Sequence, residues 1–91
     1  MPVKYRRASR TVWRHAHGSV LVLPMSGHDV MHLTGTGDDL WQLLAEPLTV
    51  DQAARRLADI YDRSPDEIIQ DIAPVLDDLV ARGVVDRMNS V

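Results

Sequence analysis

The hydrophobic pattern changes period once along this chain, from short β-branched runs in the first third to helical stripes in the remainder. Thr11 to His15, carrying Val12 and Trp13, predicts a first strand, and His17-Gly18 reads as the turn after it. Val20-Leu21-Val22-Leu23 is a near-continuous apolar run, so Ser19 to Leu23 predicts a central strand. Pro24 cannot donate to a ladder and ends it; Met25-Ser26-Gly27-His28 is the expected hairpin connection to a third, short strand over Val30 to Leu33.

Three helices are expected after these strands, each with a start signal. Thr36 can cap the first, whose apolar residues are Leu40, Trp41, Leu43 and Leu44. After Pro47, Thr49 and Gln52 have the spacing of a capping box, and Val50, Ala53, Ala54, Leu57, Ala58 and Tyr61 form one stripe. Ser64, Pro65 and Glu67 mark the third start. The stripe of this helix runs through Ile68, Ile69, Ile72, Val75, Leu76, Leu79 and Val80, and Gly83 is a natural C-terminal cap. Pro74 falls inside it and predicts a kink, because an interior proline costs roughly 3 kcal/mol yet the stripe stays in phase across it. Val84-Val85 predicts a brief final strand or wing. Strands followed by helices indicate an α+β fold, here winged helix-turn-helix-like: an N-terminal three-stranded antiparallel sheet, three helices and a short C-terminal wing. The expected division is a basic lead-in over 1–10, one binding domain over 11–88 and a tail over 89–91.

Composition narrows the chemistry. With 91 residues, 45% apolar and 25% charged, the chain suits one domain with a modest core. It contains no cysteine, which excludes disulfides, thiolate metal sites and a cysteine nucleophile and fits a cytoplasmic setting. The basic N-terminus has no apolar stretch behind it and does not read as a signal peptide, and no apolar run is long enough to span a bilayer. The net charge of -3 is unevenly spread. Residues 1–17 hold Lys4, Arg6, Arg7, Arg10 and Arg14 and no acid, so all thirteen acidic residues lie in the rest of the chain.

No catalytic motif emerges. Gly35-Thr36-Gly37 is a fragment of a phosphate loop and reads better as a strand-to-helix turn. His15, His17, His28 and His32 lack a ligand set of zinc spacing. Asp38, Asp39, Asp66 and Glu67 sit near helix starts, where the dipole favours negative charge. Trp13, Trp41 and Tyr61 read as packing residues. A winged helix raises DNA binding, but the third helix carries Asp66, Glu67, Asp71, Asp77 and Asp78, which oppose insertion into a groove. The chain is therefore expected not to be an enzyme, to need no cofactor or metal, to bind neither nucleic acid nor membrane, and to be a monomer.

What remains is an interaction surface. If Val30–Leu33 lies at the sheet edge, neither lysine nor proline blocks it, and an extended peptide can add there as a further strand. On the third helix, Ile68, Ile72, Val75 and Leu79 are expected to face the core, with Ile69, Ala73, Leu76 and Val80 as a neighbouring ridge roughly 100° away.

These residues, taken in order, resemble the PqqD-like family, known as RiPP recognition elements. The resemblance is carried by Val20–Leu23, Val30-Met31-His32-Leu33-Thr34-Gly35-Thr36-Gly37 and Leu40-Trp41-Gln42-Leu43-Leu44. It continues through Pro47-Leu48-Thr49-Val50, Ile60-Tyr61, Asp71-Ile72, Val75-Leu76, Leu79 and Gly83-Val84-Val85. It implies that the leader of a ribosomally made precursor adds beside the third strand, in a groove closed by the third helix. The implied site comprises Asp29, Val30, Met31, His32 and Leu33 with Ile69, Ile72, Ala73 and Leu76. Leu33-Thr34-Gly35-Thr36-Gly37 resembles the standalone members of lasso-peptide pathways more than the Leu-Asn-x-Thr-Ala form of the pyrroloquinoline quinone pathway. The lasso resemblance implies a Tyr-x-x-Pro leader, presented to a transglutaminase-like leader peptidase and a lasso cyclase.

Overall fold

The computed structural model describes residues 3–24 and 29–89. Strand β1 (Val3–Arg7) is followed by β2 (Val12–Ala16), β3 (Ser19–Leu23) and β4 (Met31–Thr34). Helix α1 (Thr36–Leu43), strand β5 (Leu48–Thr49), helices α2 (Val50–Tyr61) and α3 (Pro65–Ala81) and strand β6 (Val85–Asn89) complete the chain. The class is α+β, with the expected three-stranded antiparallel sheet, ordered β2-β3-β4, ahead of three helices. The connection Met25–His28 lies outside the described residues.

The lead-in over 1–10 holds more structure than its polarity suggests. Within it, β1 is the centre of a second antiparallel sheet, ordered β5-β1-β6. Tyr5 is buried while Arg6 is exposed, a period of two that the neighbouring basic residues mask. The expected final strand forms as β6 and pairs with β1 along its length, from Val3 opposite Asn89 to Arg7 opposite Val85. Strand order is therefore closed by the two ends of the chain rather than by a hairpin wing.

Two helix starts form as their sequence signals require. Thr49 Oγ1 accepts the Gln52 N–H while Gln52 Oε1 accepts the Thr49 N–H, both at 3.0 Å, a complete capping box. Ser64 Oγ accepts the Glu67 N–H at 3.3 Å and Pro65 opens α3. The Glu67 side chain turns instead to Arg63, at 3.4 Å. The first start differs from expectation: the cap is Gly35, without a side-chain bond, and Thr36 is already helical. α3 runs as one helix through Pro74. It ends where Gly83 takes φ of 76°, with Gly83 N–H donating to Val80 O and Val84 N–H to Leu79 O. This 5→2 and 6→1 pair is a Schellman cap, for which a residue without Cβ is best suited. Thr49→Ala removes one half of the α2 box. It is expected to cost about 0.5–2 kcal/mol in urea melts, and no measurable change would mean that the box contributes nothing to stability.

The core lies between the β2-β3-β4 sheet and the helices. Val20 and Val22 of the central strand meet Leu40, Trp41, Leu57, Ile68, Ile72, Leu76 and Leu79, all fully buried. Tyr61 donates its hydroxyl proton to Asp39 Oδ2, tying the end of α2 to the first turn of α1. That bond to a carboxylate, with burial, pushes the phenol pKa up.

Candidate functional site

The pairing register identifies which backbone groups of β4 are free. Ala16 pairs with Ser19 across the two-residue turn His17-Gly18, so these two residues exchange backbone hydrogen bonds. Alternation along β3 then directs the backbone of Val20 and Val22 toward β4, opposite Leu33 and Met31. The N–H and C=O groups of His32 and Thr34 consequently point away from the sheet. Among the described residues β4 pairs with β3 alone, which makes it an edge. Its side chains alternate as well: Leu33 is buried and Met31 half-buried on the core side, while His32 and Thr34 are exposed.

A cleft of about 480 Å³ borders this edge. Asp29, Val30, Met31, His32 and Leu33 form one wall, and Pro74, Val75, Asp78 and Arg82 form the other. The floor is apolar through Leu33, Met31 and Val75. Arg82 Nε pairs with Asp78 Oδ1 at 3.1 Å, so one end of the α3 wall is polar but internally neutralised. The volume suits one or two large side chains. Val30, on the β4 wall of the cleft, is 54% exposed.

The structure thus brings together Asp29, Val30, Met31, His32 and Leu33, and sets them against α3. It divides the four α3 residues of the expected site differently. Ile72 and Leu76 are each 1% exposed and belong to the core. Ile69 and Ala73 are half-buried and do not line the cleft. At about 100° per residue, Ile68, Ile72, Leu76 and Leu79 form the buried stripe. Ile69, Ala73 and Val80 then flank it on one side, and Val75, Asp78 and Arg82 on the other. The second flank meets β4. Pro74, read from sequence only as a helix irregularity, is an exposed member of the cleft wall.

Elsewhere, His15 Nε2 lies 3.7 Å from Asp38 Oδ2. Among the described residues no group of three metal-ligating side chains comes together; His28 is outside them. Four of the five acids on α3 are paired within the chain: Asp71 and Glu67 with Arg63, Asp78 with Arg82, and Asp77 with Arg87. Among the described residues no helix is long and apolar enough to cross a membrane.

The profile of the family described as "Coenzyme PQQ synthesis protein D (PqqD)" matches residues 19–85, which include the sheet edge, the cleft and all three helices. Among solved structures, the chain is similar to the solution NMR structure of the PqqD truncation of Methylobacterium extorquens PqqCD. The TM-score is 0.75 at 24% identity, covering 92% of this chain and 89% of that one. That protein is described as a functional and stand-alone recognition element for ribosomally synthesized and post-translationally modified peptides (RiPPs). No curated protein sequence matches this chain.

Proposed function

This chain belongs to the PqqD family, and from that premise we propose that it is a RiPP recognition element that binds the leader segment of a precursor peptide by strand addition along β4. The observation that carries the reading is the outward backbone of His32 and Thr34 on an edge strand beside a cleft closed by α3. An added strand gains backbone hydrogen bonds from that edge, and alternate side chains enter the cleft for specificity. The proposed contact residues are Asp29 to Leu33 on β4 and its approach, with Pro74, Val75, Asp78 and Arg82 on α3.

The role is binding rather than catalysis. In its finer form the ligand is a lasso-peptide leader of the Tyr-x-x-Pro type, whose aromatic ring occupies the cleft against Val75 and Pro74. The bound precursor is presented to a leader peptidase and a cyclase. This form rests on the Leu33-Thr34-Gly35-Thr36-Gly37 segment, which makes the turn from β4 into α1. DNA binding is disfavoured because α3 presents carboxylates where a recognition helix needs cations.

Two substitutions separate the flanks of α3. Val75→Asp sets a charge against an apolar anchor and is expected to weaken binding of a fluorescent leader peptide at least about tenfold, equivalent to about 1.4 kcal/mol. Ile69→Asp, on the far flank, is expected to bind as the unsubstituted protein does. Circular dichroism establishes that both variants are folded. The reverse order of effects would place the peptide on the Ile69 side.

A further inference from the structure

A second pocket, at the junction of the two sheets, is built around Arg7. It has a volume of about 300 Å³ and is lined in part by Arg6, Arg7, Ser9, Thr11 and Trp13. Arg7 ends β1, and its guanidinium carbon lies 4.7 Å from the Trp13 ring centroid and 5.7 Å from that of Trp41. Both distances are within cation–π range. The two indoles meet edge to face at 6.0 Å and 74°. The backbone around them is fixed: Arg7 N–H donates to Leu44 O at 2.9 Å, Ala8 N–H to Val84 O at 3.0 Å and Thr11 N–H to Ala8 O at 3.1 Å.

Two donors of this cluster lack a partner. Arg7 Nη1 and Trp41 Nε1 are buried, and neither finds a hydrogen-bond acceptor among the described residues. A buried unmade hydrogen bond costs about 1–3 kcal/mol, and more for a charged group. Burial alone pushes the Arg7 guanidinium pKa down. Among the described residues Lys4, Arg6, Arg7, Arg10 and Arg14 form no salt bridge, whereas Arg63, Arg82 and Arg87 each do. A planar guanidinium held between two rings, with a donor turned inward and no anion of its own, is matched by a carboxylate.

We propose that this pocket receives a carboxylate from a binding partner, supplied by an acidic side chain or by a chain terminus. Trp13 lies on β2, the edge of the sheet opposite β4, so the site is separate from the leader cleft and can be filled together with it. The inference does not depend on leader binding.

The test is an NMR titration of the full chain without leader. The probes are acetyl-Ala-Glu-Ala-amide, its Gln counterpart, and acetyl-Ala-Ala-Ala with a free C-terminal carboxylate. Saturable shifts of the Trp13 and Trp41 indole N–H and Arg7 Nε–H signals are expected with one or both carboxylate peptides. Affinity is expected to be at least tenfold above that of the Gln peptide, and to fall at least tenfold in Arg7→Gln. A response to the Glu peptide alone assigns the carboxylate to a side chain, and a response to the free terminus alone assigns it to a C-terminus. Binding of the Gln peptide as tight as that of the carboxylate peptides, no response to any of the three, or undiminished binding by folded Arg7→Gln, overturns the proposal. If Arg7→Gln does not fold, the comparison of peptides on the unsubstituted protein decides the matter.

Discussion

Replacing Trp41 by Ala is expected to destabilise the domain by about 3–5 kcal/mol, the range for truncating a fully buried aromatic residue. Trp41 is 0% exposed and sits where α1, the central strand and α3 converge. Three effects combine. The largest is lost apolar burial with the cavity left behind. The edge-to-face contact with Trp13 adds about 0.5–1.5 kcal/mol, and the Arg7 cation loses one of its two rings. One effect runs the other way: the substitution removes the buried indole N–H that lacks a partner. Domains of this kind have about 5–15 kcal/mol in total, so the loss takes a large share of stability. Urea unfolding followed by circular dichroism measures it. A change below about 1 kcal/mol would mean that Trp41 is not the packing centre assigned to it.

The second large effect concerns binding. His32→Pro is expected to abolish leader binding while leaving the domain folded, because the N–H it deletes points away from β3. Met31→Pro deletes an N–H that pairs with Val22, and is expected to weaken the fold itself. His32→Ala supplies the contrast. The imidazole lies on the exposed face, and strand addition draws on the backbone, so its loss is expected to change affinity by less than about threefold, under 1 kcal/mol. Leader titrations on the three variants, each with a thermal melt, measure the pattern. Equal losses for His32→Ala and His32→Pro would mean that the side chain rather than the ladder carries recognition.

Much of the fold was legible where local signals agree with the global arrangement. The apolar run Val20–Leu23 marks the central strand, and Thr49 with Gln52 and Ser64 with Pro65 mark two helix starts to the residue. The β5-β1-β6 sheet was not legible. β1 and β6 are far apart in sequence, no turn signal joins them, and β5 is only two residues long. Val3 and Tyr5 do alternate with Lys4 and Arg6, but three basic residues among the five after Pro2 and Val3 obscure a strand of that length.

The same limit explains the site. The lack of Lys and Pro on β4 was readable as a local property, whereas its place at the edge was only a condition until the strand order β2-β3-β4 met it. A helical stripe shows which residues of α3 are buried, but not which of its two flanks turns toward the sheet. Apolarity favoured Ile69 and Ala73. The structure turns Pro74, Val75, Asp78 and Arg82 to the cleft instead, a flank whose charged members made it look like solvent-facing surface. Only the packing of α3 on α2, α1 and β6 decides between them.

The most direct test of strand addition is amide hydrogen exchange of β4 with and without saturating leader peptide. The His32 amide points outward in the free protein, with no partner strand among the described residues to protect it. On leader binding its exchange is expected to slow at least about tenfold, as an amide entering a ladder requires. Cross-strand contacts between peptide amides and those of His32 and Thr34 are expected alongside. Unchanged exchange at His32 and Thr34, with leader-induced shifts gathered on another element, would contradict strand addition at β4.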